Sequence, residues 1–574
     1  MLLKVTGGNL GAEITAETVS EQDGIILIKV EMKMETAAVP EKFSVSWKQP
    51  CVDCYSVWSP SVRTERQLGP NWSRRKTYSR LAAWMPLHGI VSVRGKNRMT
   101  VAVSDAVTPI MIGTGVFEED ACIDWTVDFF TILTAPTNEY SAYIRIDTRD
   151  IPYFDSVYAV SKWWESECGY TPANVPEHAR LPMNSLWYSY HQQLDVEDII
   201  KECRLSKPFG METVIIDDGW QTDDGGRGYA YCGDWEVTPK KIPDMAKFVS
   251  DIHDIGMRVM LWYSVPFVGL YCKNYDRFKS MLLDETGNNE TYWSLDPRYK
   301  EVRDFLIGIY ADAIKNWDLD GLKLDFIDSF TLRGKSLEYD ERRDFQSLEA
   351  AIDCLMTDVM RTLTAIKPDV MIEFRQSYVG PAIRKYGNML RVGDCPNDAI
   401  MNRQDIVNLR LTSGNTPVHS DMLMWHVDDT VESAALQLAS VLYAVPQISV
   451  KIDKLKEAHR KMLKFYLDFW KENRDILLDG KLTAKAPESV YSRVSSEKDG
   501  EAIVTLYTDC AVCAESLKKL TVVNASCNTS VILREAAGRR YVIVNCMGEQ
   551  VECGTVNGDL AAFCVPTAGM IFLS

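Results

Sequence analysis

The stretch "YKEVRDFLIGIYADAIKNWDLDGLKLDF", Tyr299 to Phe326, changes period part-way along. In its first part Val302, Phe305, Leu306, Ile309, Ala313 and Trp317 recur at the spacing of one helix face. In "GLKLDF" the period drops to two, as in a strand. Lys323 and Asp325 then face one side, and Leu322, Leu324 and Phe326 the other. A helix leading into a buried strand that carries two charges has two readings. Buried charge is costly unless it is paired or used, so the pair is either a structural ion pair or part of a site.

The same texture extends on both sides. Strand-like runs occur at "PMNSLWYSY" (182–190), "METVIIDDGW" (211–220), "MRVMLWYSV" (257–265), "DGLKLDF" (320–326), "DVMIEFRQS" (369–377), "NMLRVGD" (388–394), "TPVHSDML" (416–423) and "VPQISVKI" (445–452). Helical runs lie between several of them, including one over "RRDFQSLEAAIDCLMTDVMRTLTAI" (342–366). Eight buried strands alternating with helices predict a (β/α)8 barrel over residues 181–470. The connection between the fifth and sixth strands is too short for a full helix.

Residues 1–150 carry short β-like runs such as "GIILIKVEMKM" and "RMTVAVSD", which predict an N-terminal β-sandwich. A connecting segment, 151–180, holds a helix around "FDSVYAVSKWWESE". Residues 480–574 return to β texture and predict a small C-terminal β-sandwich, with an Asn557-Gly558 hairpin turn.

Against 63 Lys+Arg stand 80 Asp+Glu, a net charge of −17, which argues against nucleic acid and anionic membranes as partners. No run of about 18 apolar residues is present to span a bilayer, and the N-terminus lacks the pattern of a signal peptide. The fifteen scattered cysteines then read as reduced thiols of a cytoplasmic protein. Cys51 and Cys54 have half-site spacing for zinc, but no second pair follows at finger spacing.

Active sites of such barrels form at the C-terminal ends of the strands. Those ends carry Asp217, Asp218 and Trp220; Trp262 and Tyr263; Lys323 and Asp325; Glu373 and Arg375; Arg391 and Asp394; His419 and Asp421. Charges at one end of so many strands favour a site over scattered ion pairs. Carboxylates among aromatic planes suit a sugar, and glycoside cleavage needs two acids flanking the bond. A metal-dependent, enolase-like barrel enzyme is the competing reading, with Asp325, Glu373 and Asp394 as ligands. A carbohydrate-binding protein without chemistry is a third.

The motifs resemble glycoside hydrolase family 36, the α-galactosidases and raffinose-synthase-like enzymes. "VIIDDGWQ" is similar to the family's second-strand motif, "YCGDWE" to its Gly-Asp-Trp segment, "GLKLDF" to its Lys-x-Asp nucleophile motif and "RVGDCPNDA" to its acid/base motif, in the same order over roughly 180–450. The resemblance implies a retaining α-glycosidase acting on terminal α-galactosides, with Asp325 as nucleophile and Asp394, protonated at rest, as general acid/base. Asp217, Asp218 and Lys323 would hold sugar hydroxyls, and Lys323 would also favour ionised Asp325. Arg391 would reach the 2-hydroxyl side, Trp235 and Trp262 would form aromatic walls, and Trp220 would either join them or pack beneath the loop. No metal or organic cofactor is implied. An oligosaccharide or glycoside is the expected partner, with assembly into a homo-oligomer left open.

Two departures stand out. Leu324 replaces the usual aromatic residue, and strand 5 reads "IEFRQSYVGP" in place of the family's cysteine and paired glycines. Glu373, Arg375 and Gln376 therefore reshape the corner near the 2-hydroxyl. Galactosyl transfer, or cleavage of a modified galactoside such as an N-acetylgalactosaminide, remains an alternative within the same chemistry.

Overall fold

The computed structural model describes residues 1–283, 290–332 and 340–574. Its centre is a parallel sheet of eight strands: β1 (Met183–Ser185), β2 (Thr213–Ile216), β3 (Arg258–Ser264), β4 (Gly321–Asp325), β5 (Met371–Arg375), β6 (Met389–Arg391), β7 (Val418–His419) and β8 (Gln447–Ile448). They are ordered β7-β6-β5-β4-β3-β2-β1-β8. A parallel bridge from His419 to Val445 nearly closes the ring. All eight strand positions read from the sequence are present, as is the sandwich–barrel–sandwich order.

Inside the barrel the side chains stack in layers, because i, i+2 and i+4 of each strand point the same way. The lowest layer is apolar: Met183, Ile215, Met260, Met371 and Met389 pack together. Gly321 belongs to this layer, where a Cβ would lie 2.5 Å from the Met371 carbonyl oxygen and 3.0 Å from Met260 Cγ. The next layer holds Lys323, with Trp262 and Glu373 in register beside it. Asp325 and Arg375 come above. "GLKLD" thus reads small, charged, charged inward, while Leu322 and Leu324 are wholly buried against the surrounding helices.

Outside the barrel, α1 (Tyr153–Ser166) leads in from the N-terminal domain. Among the helices around it are α2 (Lys300–Trp317), α3 (Leu348–Ile366) and α4 (Ala399–Arg410). The buried stripe of α2 is Val302, Leu306, Tyr310, Ala313 and Ile314; Phe305, Ile309 and Trp317 are only partly covered, so the stripe is rotated from the expected one. The aromatic contact of Tyr310 with Tyr263, behind β3, sets that rotation. Helix α3 starts at Leu348, where the Ser347 side chain caps the Ala350 amide, later than the sequence pattern placed it. Only a short 3-10 turn, Ile383–Lys385, lies between β5 and β6.

The N-terminal domain packs a five-stranded sheet on a six-stranded one around Ile28, Phe43, Trp47, Val101 and Trp125. The C-terminal domain has a seven-stranded and a three-stranded sheet. Asn557-Gly558 is not a hairpin turn. The strands it joins, Gln550–Thr555 and Leu560–Cys564, belong to different sheets, so the turn is a crossover between layers. Among the described residues, no helix is long and apolar enough to cross a membrane.

Candidate active site

At the mouth of the barrel Asp325 is 2 % exposed and held on both oxygens. Oδ2 accepts from Trp262 Nε1 (2.9 Å). Oδ1 accepts from Arg375 Nε (2.8 Å), from the Phe326 amide (2.8 Å) and from the Tyr378 hydroxyl. Burial pushes the Asp325 carboxyl up, but Arg375, then Lys323, then these hydrogen bonds outweigh it and hold the group below the usual carboxylate range. Phe326 does not continue the outward face of β4. Its backbone turns left-handed (φ 66°), which aims its amide at Asp325. Its ring lies 5.2 Å from the Arg375 guanidinium, a cation–π contact.

Lys323 pairs with Asp217 rather than Asp325: Nζ is 2.6 Å from Asp217 Oδ2, and both side chains are buried. Removing one partner strands a buried charge. Lys323→Met is expected to cost about 3–5 kcal/mol of stability, and adding Asp217→Asn to recover much of it; chemical denaturation of the three proteins measures both. Asp218 accepts from Gln192 Nε2 (2.7 Å) and Gln221 Nε2 (2.6 Å), while burial pushes its carboxyl up to about 6.

Asp394 lies on the other side of Arg375. Arg375 Nη1 is 3.2 Å from Asp394 Oδ2, without the alignment of a hydrogen bond, so one guanidinium spans both candidate catalytic carboxylates. Arg391 Nη2 donates to Asp394 Oδ1 (2.7 Å). Burial raises the Asp394 carboxyl, yet Arg391, Arg375 and Lys323 together hold it far below the usual range. That setting favours the ionised form of Asp394, opposite to the protonated form expected of a general acid.

Other expectations are corrected as well. Trp220 is wholly buried, donates to the Trp262 carbonyl (2.9 Å) and packs against Trp235, Tyr263 and Trp317. It supports the floor and presents no wall. Trp262, 2 % exposed, serves Asp325 as a hydrogen-bond donor. Trp235 is 5 % exposed and lies against Trp262. Arg391 is enclosed by carboxylates: Nη1 donates to Asp421 and Nε lies 3.7 Å from Glu373 Oε1.

Glu373 is buried beside Lys323, accepts from Gln447 Nε2, and is raised by burial. The proposed magnesium trio of Asp325, Glu373 and Asp394 does not form a cluster of ligand distance among the described residues. Arg375 stands between Asp325 and Asp394, where a metal-bridging geometry would need space. Cys51 and Cys54 likewise belong to no such cluster.

Sequence reasoning missed four residues outside the strands. Tyr378 follows β5 and bonds Asp325. Gln192 and Tyr188 follow β1; they bond Asp218 and, at 2.9 Å, Asp421. Tyr229 packs among Trp262, Phe267 and Phe326. Tyr188, inside the run read as the first strand, sits in a helical turn, Trp187–Tyr190, and the other three lie in loops, so no alternation marked them.

The Melibiase family profile matches residues 177–480, more than half of the chain and the whole barrel. The chain belongs to this family. Solved α-galactosidases of glycoside hydrolase family 36, the family the motifs resemble, share its fold. Alpha-galactosidase AgaA of Geobacillus stearothermophilus is 22% identical over 344 residues, which cover 56% of this chain and 45% of that enzyme. Its crystal structure superposes with a TM-score of 0.66 at 15% identity over 98% of this chain and 81% of that one. The galactosidase domain of alpha-galactosidase-sucrose kinase AgaSK gives 0.65 at 12% identity, covering 98% and 80%. The α-galactosidase of Lactobacillus brevis gives 0.64 at 14%, covering 100% and 85%. At these identities the structural likeness speaks for the fold of this glycoside hydrolase family.

Proposed function

We propose that this protein is a retaining α-glycosidase that cleaves terminal α-galactosides, with Asp325 as nucleophile and Asp394 as general acid/base. The observation that carries the reading is the state of Asp325: an ionised, fully oriented carboxylate at the open end of a melibiase barrel, with a second carboxylate one guanidinium away. AgaA structures include complexes with raffinose and stachyose, which favours a galactoside here too.

In the first step an Asp325 oxygen attacks the anomeric carbon and the leaving oxygen takes a proton from Asp394; in the second, Asp394 takes a proton from water, which releases the sugar from Asp325. Asp217, Asp218 and Lys323 hold hydroxyls at the depth of the pocket. The ionised resting state of Asp394 suits the second step directly. The first step needs the protonated form, which Arg391 and Arg375 disfavour. Galactosyl transfer is the second reading, because a base ready to activate an incoming hydroxyl serves a sugar acceptor as well as water.

Proton NMR of the hydrolysis of an aryl α-galactoside, in EDTA throughout, tests the mechanism. The α-anomer of galactose is expected first. A β-anomer appearing first would mean inversion, and dependence on added metal would return the enolase-like reading. Turnover of other α-glycosides but no α-galactoside would move the sugar assignment to the corner around Glu373 and Arg375.

A further inference from the structure

A second cavity, of about 620 Å³, lies away from the catalytic mouth. One wall is the connection from α4 to β7, which runs into the start of a strand, and strand starts lie at the end of the barrel opposite the active site. One face of α1 makes a second wall. Residues 478–482, where the chain passes into the C-terminal sandwich, make a third.

Arg410, the last residue of α4, lines this cavity and is 9 % exposed. Nη2 donates to the Leu477 carbonyl (3.1 Å), and Nε meets no acceptor. Among the described residues no carboxylate pairs with it. Asp479, in the same lining, is taken by Arg180 through both oxygens (2.7 Å each), and Asp155 by Lys481 (3.2 Å).

A guanidinium buried without a counter-charge is costly, and other buried arginines of this chain avoid that cost. Arg384 pairs with Glu165 (2.7 Å). Arg66 donates to two carbonyls, Asn408 and Tyr491, and Arg403 lies 3.8 Å from the Tyr507 ring. Arg410 has one hydrogen bond and a cavity. Burial pushes it down to about 10, so it stays charged at neutral pH. We propose that this cavity binds a small organic oxyanion, a carboxylate or a phosphate ester on an apolar body, with Arg410 as its counter-charge.

The remaining lining suits such a ligand. A guanidinium fork receives two oxygens of one oxyanion. Phe154, Tyr158, Leu411 and Leu482 offer apolar surface to the body, and the Asn415 amide a further polar contact. The volume falls within the roughly 300–1,000 Å³ of small-molecule sites. Lys162 and Lys481 stand at the rim, largely exposed and already paired with Glu165 (3.2 Å) and Asp155, so the buried guanidinium sets where the anion seats. Asp155 and Asp479 add negative charge to the same walls, which favours the single charge of a carboxylate over the two of a phosphate ester.

NMR titration of the full-length protein with benzoate, phenyl phosphate and benzyl alcohol tests the site, since the three share a ring and differ in the head group. Benzoate is expected to bind with a Kd of about 1 mM or tighter and to bind at least tenfold more weakly to Arg410→Met. Benzyl alcohol is expected to bind more weakly than benzoate and equally to both proteins. Without ligand, Arg410→Met is expected to melt no lower than the unmodified protein, because the change removes an unpaired buried charge. Phenyl phosphate binding tighter than benzoate, with the same loss in Arg410→Met, keeps the oxyanion site and assigns it to phosphate esters. Benzoate binding that survives Arg410→Met, benzyl alcohol binding as tightly as benzoate, or no binding of either anion overturns the proposal. Should Arg410→Met fail to fold, Tyr158→Ala, at a residue 49 % exposed, carries the comparison, and unchanged benzoate affinity there overturns the proposal equally.

Discussion

Asp325→Asn is expected to lower kcat on any α-galactoside by about 10⁴-fold or more while leaving galactose binding intact. The change removes the attacking charge and little else. Oδ1, which accepts from Arg375, Phe326 and Tyr378, remains an oxygen when the amide nitrogen takes the Oδ2 side. Only the bond from Trp262 Nε1 is lost, since two donors would then face each other. That loss costs about 1–3 kcal/mol at most, and the surrounding layer of Lys323, Asp217 and Glu373 is untouched. Steady-state kinetics and titration calorimetry with galactose separate the two effects. Residual turnover within 100-fold of the unmodified enzyme would remove Asp325 from the nucleophile role. Loss of turnover together with loss of binding would instead make it a binding residue, which is the behaviour of a carbohydrate-binding protein.

What could be read before the structure depended on alternation. The inward layers of the barrel follow the strands residue by residue, so Asp217, Lys323, Asp325, Glu373, Arg375 and Arg391 were all legible as one end of one barrel. The partners within that end were not. Lys323 lies closer in sequence to Asp325 than to Asp217, yet β2 and β4 meet across the barrel interior and put Lys323 on Asp217. The tryptophans misled because a ring near a sugar motif carries no mark of depth: Trp220 is part of a turn that folds it under the site. Tyr378 and Gln192 lie in loops and Tyr188 in a one-turn helix, where no strand period exists. Trp84 and Arg63 come from another domain altogether, and the cavity they line with Asp394 is a product of docking that no local pattern encodes. Strand 5 is the instructive case. Its departure from the family pattern marked Glu373 and Arg375 as unusual, but only coordinates show one guanidinium spanning both acids.

That guanidinium yields the second large effect. Arg375→Met is expected to move the whole pH profile of kcat/KM toward alkaline pH and to depress turnover on the acid side. Arg375 lies within ion-pair distance of both carboxylates, and in each it is among the main influences lowering the group. Without it both carboxyls titrate at higher pH. The acid limb, set by the need for ionised Asp325, rises because more acid-side enzyme carries a protonated nucleophile. The alkaline limb, set by the need for protonated Asp394, rises too, because its proton is held longer with only Arg391 and Lys323 left to oppose it. Methionine keeps much of the packing over Phe326 that the arginine stem supplies, although the cation–π contact goes. Arg375→Lys is expected to behave more like methionine than like arginine, since a single ammonium cannot span the two acids in the way a planar fork does. A profile that keeps its position in both variants, with only its height reduced, would mean that Arg375 packs the site without setting its protonation. A shift of the alkaline limb alone would place the arginine's influence on Asp394 and leave Trp262, Tyr378 and Lys323 as the groups that keep Asp325 ionised.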